Sequence, residues 1–371
     1  MKYQMLLPLS VALCFVPHSS GSLHAEEEPL ILPTVDLLDT NGDGVLDPYE
    51  SMDALMVIQE ELGDQELTAE AVMELMAQWE QDEEDDIARL FEDLDMNGDG
   101  KLSRREMDEE LLEYLEMIDV DEDGFITPEE MLAAEDFEPL FYDEEEIQEE
   151  VSALFYRLDR DNSNSITSDE AGSDWLYIVE MDFNLNERVT RKEAFRAYRA
   201  DNKEATFEIE GDTARVEGVL TSRFPADVLR LIFEHPEVRT IELMYISGSL
   251  DDEANIRACR YIRRQGLDTH VPRGGMVASG GTDLFLSGRY RTCGERAMIG
   301  VHTWSWMGKD GDELPRDHEE HEPYLEFYEE MGIPEKFYWF TLSSASADEV
   351  HWMTRSELEE YGCLNPRPST E

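Results

Sequence analysis

The clearest shortage in this sequence is positive charge. Its 371 residues include 30 Lys and Arg against 88 Asp and Glu, for a formal net charge of −58. Nucleic acids and anionic membrane surfaces are bound through basic patches that neutralise phosphate groups. The sequence lacks such patches, so we expect neither nucleic acid nor a membrane as a partner.

Cysteine and long apolar segments are also scarce. Four cysteines do not form the framework of a disulfide-rich fold. The apolar run at residues 5–16 is too short to cross a bilayer. It follows Lys2 and precedes small polar residues, which is the pattern of a secretory signal peptide. We therefore expect residues 1–25 to be a signal peptide and the mature protein to be secreted or periplasmic.

The acidic residues are unevenly distributed along the chain. Residues 26–200 hold 55 acidic and 11 basic residues, whereas residues 201–371 hold 33 and 18. A chain of this length fits two or three domains. The change in composition predicts an acidic domain at 26–202 and a different domain at 203–371.

The acidic domain repeats one pattern of oxygen-bearing side chains five times, beginning at Asp39, Asp95, Asp119, Asp159 and Asp182. A hard cation such as Ca²⁺ takes roughly six to eight oxygen ligands. The spacing provides them through side chains at positions 1, 3 and 5, a carbonyl at position 7, a side chain or water at position 9 and a Glu at position 12. Glycine at position 6 permits a sharp turn. We identify these segments as EF-hands, with Ca²⁺ as the cofactor.

The predicted ligands differ in quality between loops. The three clearest loops offer Asp39, Asn41, Asp43, Val45 (carbonyl), Asp47 and Glu50; Asp95, Asn97, Asp99, Lys101 (carbonyl), Ser103 and Glu106; and Asp119, Asp121, Asp123, Phe125 (carbonyl), Thr127 and Glu130. The other two offer Asp159, Asp161, Ser163, Ser165 and Glu170; and Asp182, Asn184, Asn186 and Glu193. Asn164 at position 6 tolerates a left-handed conformation, so we expect the fourth loop to bind. Glu187 occupies position 6 of the fifth loop, where we expect weak binding or none.

The order of the loops predicts how they pair. Position 8 is aliphatic in every copy, and in paired EF-hands this residue forms a short β-bridge between two loops. The loop starts at Asp95 and Asp119 lie 24 residues apart, and those at Asp159 and Asp182 lie 23 apart. These spacings predict two tight pairs and leave the Asp39 loop alone. The alternative is a disordered acidic segment that imitates the pattern by composition.

Apolar residues recur at helical spacing in residues 107–117 and 147–158, which predicts helices beside the loops. Acidic runs at 81–86 and 143–150 lack ligand spacing and are interpreted as solvated helix faces or linkers. After residue 202 the pattern changes to alternating strands and helices. Strands are predicted at 207–210, 214–220, 238–246 and 268–271, and helices at 225–234, 252–265 and about 279–286. This alternation predicts an α/β domain with a largely parallel sheet.

The second half also carries a more specific pattern. Ser279 follows a small residue and precedes Gly280, Gly288 comes nine residues later, and His302 follows a strand-like segment. Residues 205–365 thereby resemble the Clp-type serine peptidases of the crotonase-like superfold, and their exported relatives most closely. The resemblance implies an all-α EF-hand array followed by a Clp/crotonase-like α/β domain.

The resemblance also implies roles for individual residues. Ser279 is the nucleophile, His302 the general base and Asp348 the residue that orients it. The N–H groups of Gly248 and Gly280 form the oxyanion hole. A peptide or protein substrate and a homo-oligomer built through this domain are further implications.

Each member of this triad has a structural alternative, because Ser279 and Asp348 also suit helix caps and His302 also suits a core. We predict an exported calcium-binding protein with a serine-peptidase-like domain that Ca²⁺ regulates. One alternative is a non-catalytic, calcium-dependent binding or scaffolding protein with a degenerate domain. The other is a crotonase-like enzyme that acts on a thioester without using the serine.

Overall fold

A computed structural model of the chain describes residues 47–63, 65, 69–107, 115, 118–119, 123–133, 141–306, 309–347 and 349–368. The predicted signal peptide and the predicted site residues Asp39, Asn41, Asp43, Val45, Asp121 and Asp348 lie outside these residues. Within the described part, no helix is long and apolar enough to cross a membrane. Contacts between residues divide the chain into two compact units, 1–139 and 140–371.

The described part of the first unit contains short strands and helices that flank calcium-loop sequences. Its elements are α1 (Pro48–Leu62), α2 (Ala69–Leu94), β1 (Leu102–Ser103), β2 (Phe125–Ile126) and α3 (Pro128–Ala133). Helix α1 begins at a capping box, in which Asp47 accepts from the N–H of Glu50 and Glu50 accepts from the N–H of Asp47. Leu102 pairs with Ile126 across β1 and β2, and both are fully buried.

The second unit begins with the other loop pair. Its elements are α4 (Glu144–Leu158), β3 (Ser165–Thr167), α5 (Ser168–Ala171), α6 (Trp175–Ile178), β4 (Arg188–Thr190) and α7 (Arg191–Asp201). Ile166 pairs with Val189 across β3 and β4. Each short ladder therefore joins two position-8 residues, which confirms the prediction of two tight pairs.

A mixed α/β layer follows. Its strands are β5 (Thr206–Glu210), β6 (Thr213–Glu217), β7 (Thr240–Ile246), β8 (Asp268–Val271), β9 (Met276–Ala278), β10 (Arg291–Cys293), β11 (Met298–Val301), β12 (Ser305–Trp306), β13 (Lys309–Asp310) and β14 (His351–Trp352). Its helices are α8 (Phe224–Glu234), α9 (Asp252–Gln265), α10 (Gly280–Leu286), α11 (Glu322–Glu330), α12 (Glu335–Ser344) and α13 (Arg355–Glu360).

The main sheet is largely parallel, as the alternation of strands and helices predicts. Its strand order is β10-β8-β7-β9-β11-β14, and β6 pairs with β7 and with β5. Only the β5–β6 and β11–β14 pairs of this sheet are antiparallel among the described residues. The predicted strand at 214–220 ends earlier, at Glu217, because Gly218 turns the chain with a φ of 131°.

The second loop pair and the sheet share one hydrophobic core. Buried Val151 and Phe155 of α4 and Ala197 of α7 belong to the same cluster as Tyr245 of β7 and Met276 of β9. The predicted boundary between residues 202 and 203 therefore falls inside a compact unit. Composition changes at that point, but the packing of apolar side chains continues across it.

Arg291 of β10 ties distant segments of this unit together. Its guanidinium is buried and donates to the carbonyl oxygens of Gly288 at 3.2 Å, Gly362 at 3.1 Å and Cys363 at 2.8 Å. Burial lowers the pKa of Arg291 to about 10, which leaves it charged at neutral pH. The carbonyl acceptors therefore stabilise a cation that has been removed from water.

Asp201, at the end of α7, is a half-buried residue at the junction with the sheet, and its Oδ1 is shielded from solvent. Its Oδ2 accepts from the Tyr245 hydroxyl at 3.1 Å. Burial raises the pKa of Asp201 to about 6, although hydrogen bonds with Ser247 and Tyr245 act in the opposite direction. Since the folded state holds this proton more tightly, the contribution of Asp201 to stability is present at low pH and is lost as pH rises through about 6.

Replacing Asp201 by Asn removes this titration while keeping the side-chain shape. We expect Asp201→Asn to gain stability relative to the wild type between pH 4 and 7, by about 2 kcal/mol at the upper end. Urea unfolding of the two proteins at several pH values measures this difference. A difference that is constant over the range would show that the carboxylate does not titrate as described.

Candidate functional site

The calcium loops share one local backbone geometry. In each described loop, the Asp at position 1 accepts from the N–H of the position-6 residue. The distances are 2.7 Å from Gly100 to Asp95, 2.7 Å from Gly124 to Asp119, 2.9 Å from Asn164 to Asp159 and 2.7 Å from Glu187 to Asp182. These bonds curl the loop around its first carboxylate.

Position 6 has a positive φ in all four of these loops. The values are 80° at Gly100, 84° at Gly124, 60° at Asn164 and 64° at Glu187. Asn164 thus adopts the left-handed conformation that its side chain tolerates. Leu185 and Glu187 of the fifth loop hold the same conformation at a steric cost, because longer side chains disfavour it.

The Glu at position 12 is fixed by the residue at position 9. Glu106 accepts from the N–H of Ser103 at 3.0 Å and from its hydroxyl at 2.6 Å. These hydrogen bonds lower the pKa of Glu106 and keep it ionised. The same pair of contacts joins Thr127 to Glu130, Thr167 to Glu170 and Thr190 to Glu193.

The fourth loop brings its carboxylates together. One oxygen from each of Asp159, Asp161 and Glu170 lies within 4.8 Å of the others. This set of hard oxygen donors suits Ca²⁺. The fifth loop has carboxylates only at Asp182 and Glu193 among its predicted ligands, and there Asn184 donates its amide to Glu193. The donor sets therefore fit calcium better in the fourth loop than in the fifth.

Removing one position-12 carboxylate at a time tests the loop assignments. We expect Glu106→Gln, Glu130→Gln and Glu170→Gln each to lower the number of bound Ca²⁺ ions by about one, because each loses a bidentate ligand. Glu193→Gln is expected to change the number little. Calorimetric titration with Ca²⁺ measures the count, with exposed Glu149→Gln on α4 as the control. An unchanged count in Glu170→Gln would contradict the fourth site.

The predicted nucleophile lies where β9 passes into α10. Ser279 has φ 53° and ψ −130°, a backbone conformation that residues other than glycine rarely adopt. The turn is tight because α10 starts close to the sheet: a Cβ on Gly281 would lie 2.7 Å from the Ile246 carbonyl oxygen. The Asn255 side chain, buried on α9, donates to the Gly280 carbonyl at 2.9 Å. The surroundings therefore hold Ser279 in a strained conformation.

Both glycines predicted for the oxyanion hole lie beside this serine. A Cβ on Gly248 would lie 3.3 Å from the Ser279 Cβ, so the backbone at Gly248 lies directly against Ser279. Gly280 opens α10, where an N–H has no acceptor within its own helix. A Cβ on Gly280 would lie 2.2 Å from the Ser249 hydroxyl, so this position requires glycine.

His302 follows β11 and lines the same cavity as Ser279. Its Nδ1 lies 2.6 Å from the Thr303 carbonyl oxygen. A carbonyl can only accept, so this contact assigns the proton to Nδ1 and leaves a lone pair on Nε2. Thr303 in turn donates its N–H to the Ala345 carbonyl, three residues before Asp348, which is outside the described residues.

The cavity has a volume of about 40 Å³. The sequence patterns did not single out most of its walls, which come from Asp252 on α9, Asp283 on α10, Trp304, Tyr324 and Tyr328 on α11, and Tyr338 on α12. One signal was present for Asp283, which lies one helical turn after Ser279 and therefore on the same side of α10. The tyrosines carried no such signal, because their spacing is that of ordinary helix packing.

Comparison with known proteins supports the calcium loops directly. A family model described as EF hand matches residues 87–112 and 113–133. These two segments contain the loops that begin at Asp95 and Asp119, so this part of the chain has EF-hand sequence and implies calcium binding. A search among curated proteins found no match.

Solved structures give weaker likenesses. A membrane-bound stomatin-specific protease mutant in complex with a substrate peptide is 14% identical, with a TM-score of 0.28, and the match covers 42% of this chain and 75% of that one. An enoyl-CoA hydratase from Polaromonas sp. JS666 is 14% identical, with a TM-score of 0.27 and coverage of 45% and 71%. Scores this low carry no argument about function. The class defined by the observed elements is a protein with EF-hand loop pairs and an α/β domain.

The strained turn at Ser279 has a measurable consequence for stability. We expect Ser279→Gly to be more stable than Ser279→Ala by about 1 kcal/mol, because glycine adopts a positive φ without steric cost. Chemical denaturation of the two variants measures the difference. Equal stability, or a more stable alanine variant, would show that the turn is unstrained.

Proposed function

We propose that this protein is an exported, calcium-binding serine hydrolase that cleaves peptide bonds and is regulated by Ca²⁺. The observation that carries the catalytic part is the conformation of Ser279. A strained serine at the start of a helix, with a glycine backbone against it and a histidine in the same cavity, suits a nucleophile better than a helix cap. Its side chain makes no capping hydrogen bond to α10.

The residues supply the steps of acyl transfer. The Ser279 Oγ attacks the substrate carbonyl carbon while Nε2 of His302 accepts its proton. Negative charge on the substrate oxygen is stabilised by the N–H groups of Gly280 and Gly248. His302 then gives the proton to the leaving amine, and water releases the acyl group by the reverse sequence. Asp348 is proposed to stabilise the charged imidazole.

The calcium part of the proposal is supported by contacts of the fifth loop with the segment that leads to Ser279. The Phe183 carbonyl oxygen lies 2.2 Å from the position of a Cβ on Gly274, five residues before the nucleophile. Arg296 donates to the Leu185 carbonyl at 2.9 Å. Phe183 and Tyr245 of β7 have ring centroids 5.6 Å apart. Packing therefore connects this loop to β7 and to the segments that precede β9 and β11, which provides a route for the proposed regulation.

Bound Ca²⁺ would supply positive charge to loops that carry many carboxylates. The fourth and fifth loops are joined by the β3–β4 ladder, so an ion in the fourth loop also constrains the fifth. Export is proposed from the sequence at residues 1–25 alone, and an extracytoplasmic medium is rich enough in calcium to fill weak loops.

Labelling with a fluorophosphonate probe tests the nucleophile. We expect the wild type to be modified at Ser279 and Ser279→Ala to lose the label, because only a serine with a nearby base reacts readily. Ser343→Ala, which removes an exposed hydroxyl on α12, is the control and should label normally. Absence of label in the wild type, with and without Ca²⁺, would favour a non-catalytic binding or scaffolding protein.

The same reaction tests regulation. We expect Ca²⁺ to raise the labelling rate of the wild type by about fivefold or more. Glu170→Gln should abolish this response, since its loop pair shares a core with the sheet, while Glu106→Gln in the other compact unit should retain it. Equal loss in both variants, or a response that survives in Glu170→Gln, would refute the proposed route.

A further inference from the structure

We propose that the cavity beside Ser279 binds a primary ammonium group of the substrate, so that the enzyme prefers substrates with a free amine next to the bond it cleaves. This inference rests on the hydrolase function proposed above and adds a substrate class to it. Its basis is the juxtaposition of Ser279 with two carboxylates and several aromatic rings in one small cavity.

The charge of the cavity is one-sided. Asp252 and Asp283 line it, and none of the described residues that line it is Lys or Arg. The Asp283 Oδ1 accepts from the Tyr328 hydroxyl at 2.8 Å, and the Asp283 side chain is half-buried. A carboxylate with reduced access to water is stabilised by a cation placed beside it. Burial, with Asp252 as a neighbour, raises the pKa of Asp283 to about 8, so the free protein holds this proton at neutral pH and releases it when a cation pairs with the carboxylate.

The hydrogen-bonding capacity of the walls selects a donor. The Tyr324 hydroxyl donates to the Asp252 Oδ2 at 2.8 Å, as Tyr328 does to Asp283, so both phenol protons are in use. The Ser249 hydroxyl also donates to Asp252. The hydroxyl and carboxylate oxygens of the walls therefore offer a ligand mainly lone pairs. An ammonium group has three donors and no acceptor, and it matches that surface.

Aromatic rings form the rest of the enclosure. Trp304 and Tyr324 are stacked with centroids 5.8 Å apart and planes 10° apart, and Tyr324 and Tyr338 repeat this arrangement. The Trp304 Nε1–H is taken up by the Tyr338 hydroxyl at 3.0 Å. Aromatic faces attract cations and contribute most where water is excluded. The walls therefore favour a positive charge over a neutral polar group.

The volume of the cavity admits a small cation. A site needs roughly 10–15 Å³ to hold one water, and an ammonium head group is of similar size to a water. A cavity of about 40 Å³ therefore has room for an ammonium group. A peptide offers two sources of this group, the side chain of lysine and the free α-amine at its start.

Four matched amide substrates distinguish these sources. They carry lysine with a blocked α-amine, norleucine with a blocked α-amine, arginine with a blocked α-amine, and norleucine with a free α-amine. We expect kcat/KM for one of the two ammonium-bearing substrates to exceed that of blocked norleucine by about tenfold or more, and arginine, which presents a planar guanidinium in place of a compact ammonium, to gain less. Preference for lysine assigns the side chain, and preference for free norleucine assigns the α-amine.

Two variants connect the preference to the cavity. Asp283→Asn should lower the preferred-to-blocked ratio of kcat/KM by about tenfold, because the amide has no charge to pair with the ammonium. Glu253→Gln makes the same change of charge at an exposed position near Asp252 and should keep the ratio. The inference is overturned if Asp283→Asn keeps the wild-type ratio of kcat/KM, or if the wild type shows no preference for either ammonium-bearing substrate. In both cases fluorophosphonate labelling of Ser279 would still support the hydrolase.

A binding experiment with the variant that lacks the proposed nucleophile tests the ammonium site independently of catalysis. Methylammonium chloride should raise the melting temperature of Ser279→Ala more than equal concentrations of sodium chloride or tetramethylammonium chloride. The double variant with Asp283→Asn should lose this excess. An equal effect of all three salts would show a general response to ionic strength and refute an ammonium site. The hydrolase would be refuted separately, by a wild type that the fluorophosphonate probe does not label.

Discussion

Much of the second unit depends on the core that the loop helices share with the sheet. Side chains of α4 and α7 pack on β7 and β9, so these loops are a layer of the α/β structure. Such a core is lost if either layer moves away, since the buried apolar surface would meet water. Loop conformation and sheet conformation are therefore coupled by packing in this unit.

This coupling gives the strained turn at Ser279 its support. A residue held at a positive φ needs surroundings that leave it no alternative. The close approach of Gly281 to β7 and the hydrogen bond from Asn255 to Gly280 provide that restraint on one side of the serine. On the other side, β9 lies in the core shared with the loop pair. The conformation of Ser279 is thus stabilised by elements on both sides of the turn.

Local patterns in the sequence were enough for much of this picture. Position 8 of the loops predicted the bridges at Leu102 and Ile166, and β-branched runs predicted strands such as β7 within a few residues. What they missed depends on contacts between distant segments. The continuous core across residue 202 cannot be seen from composition, because Tyr245 and Phe155 become part of one cluster only after folding. Sequence patterns did not identify the cavity tyrosines for the same reason, since the helices that carry them have ordinary amphipathic spacing.

Arg291 also bears on the order in which the second unit folds. Its guanidinium holds carbonyls that follow α10 and others more than 70 residues further along the chain. Loop closure over such a distance costs entropy before any bond repays it. Until residues 362 and 363 arrive, the charged group has only part of its acceptor set and α10 lacks its final anchor. We therefore expect the segment around α10 to be completed late in folding, whereas the calcium loops, built from neighbours in sequence, are able to form early.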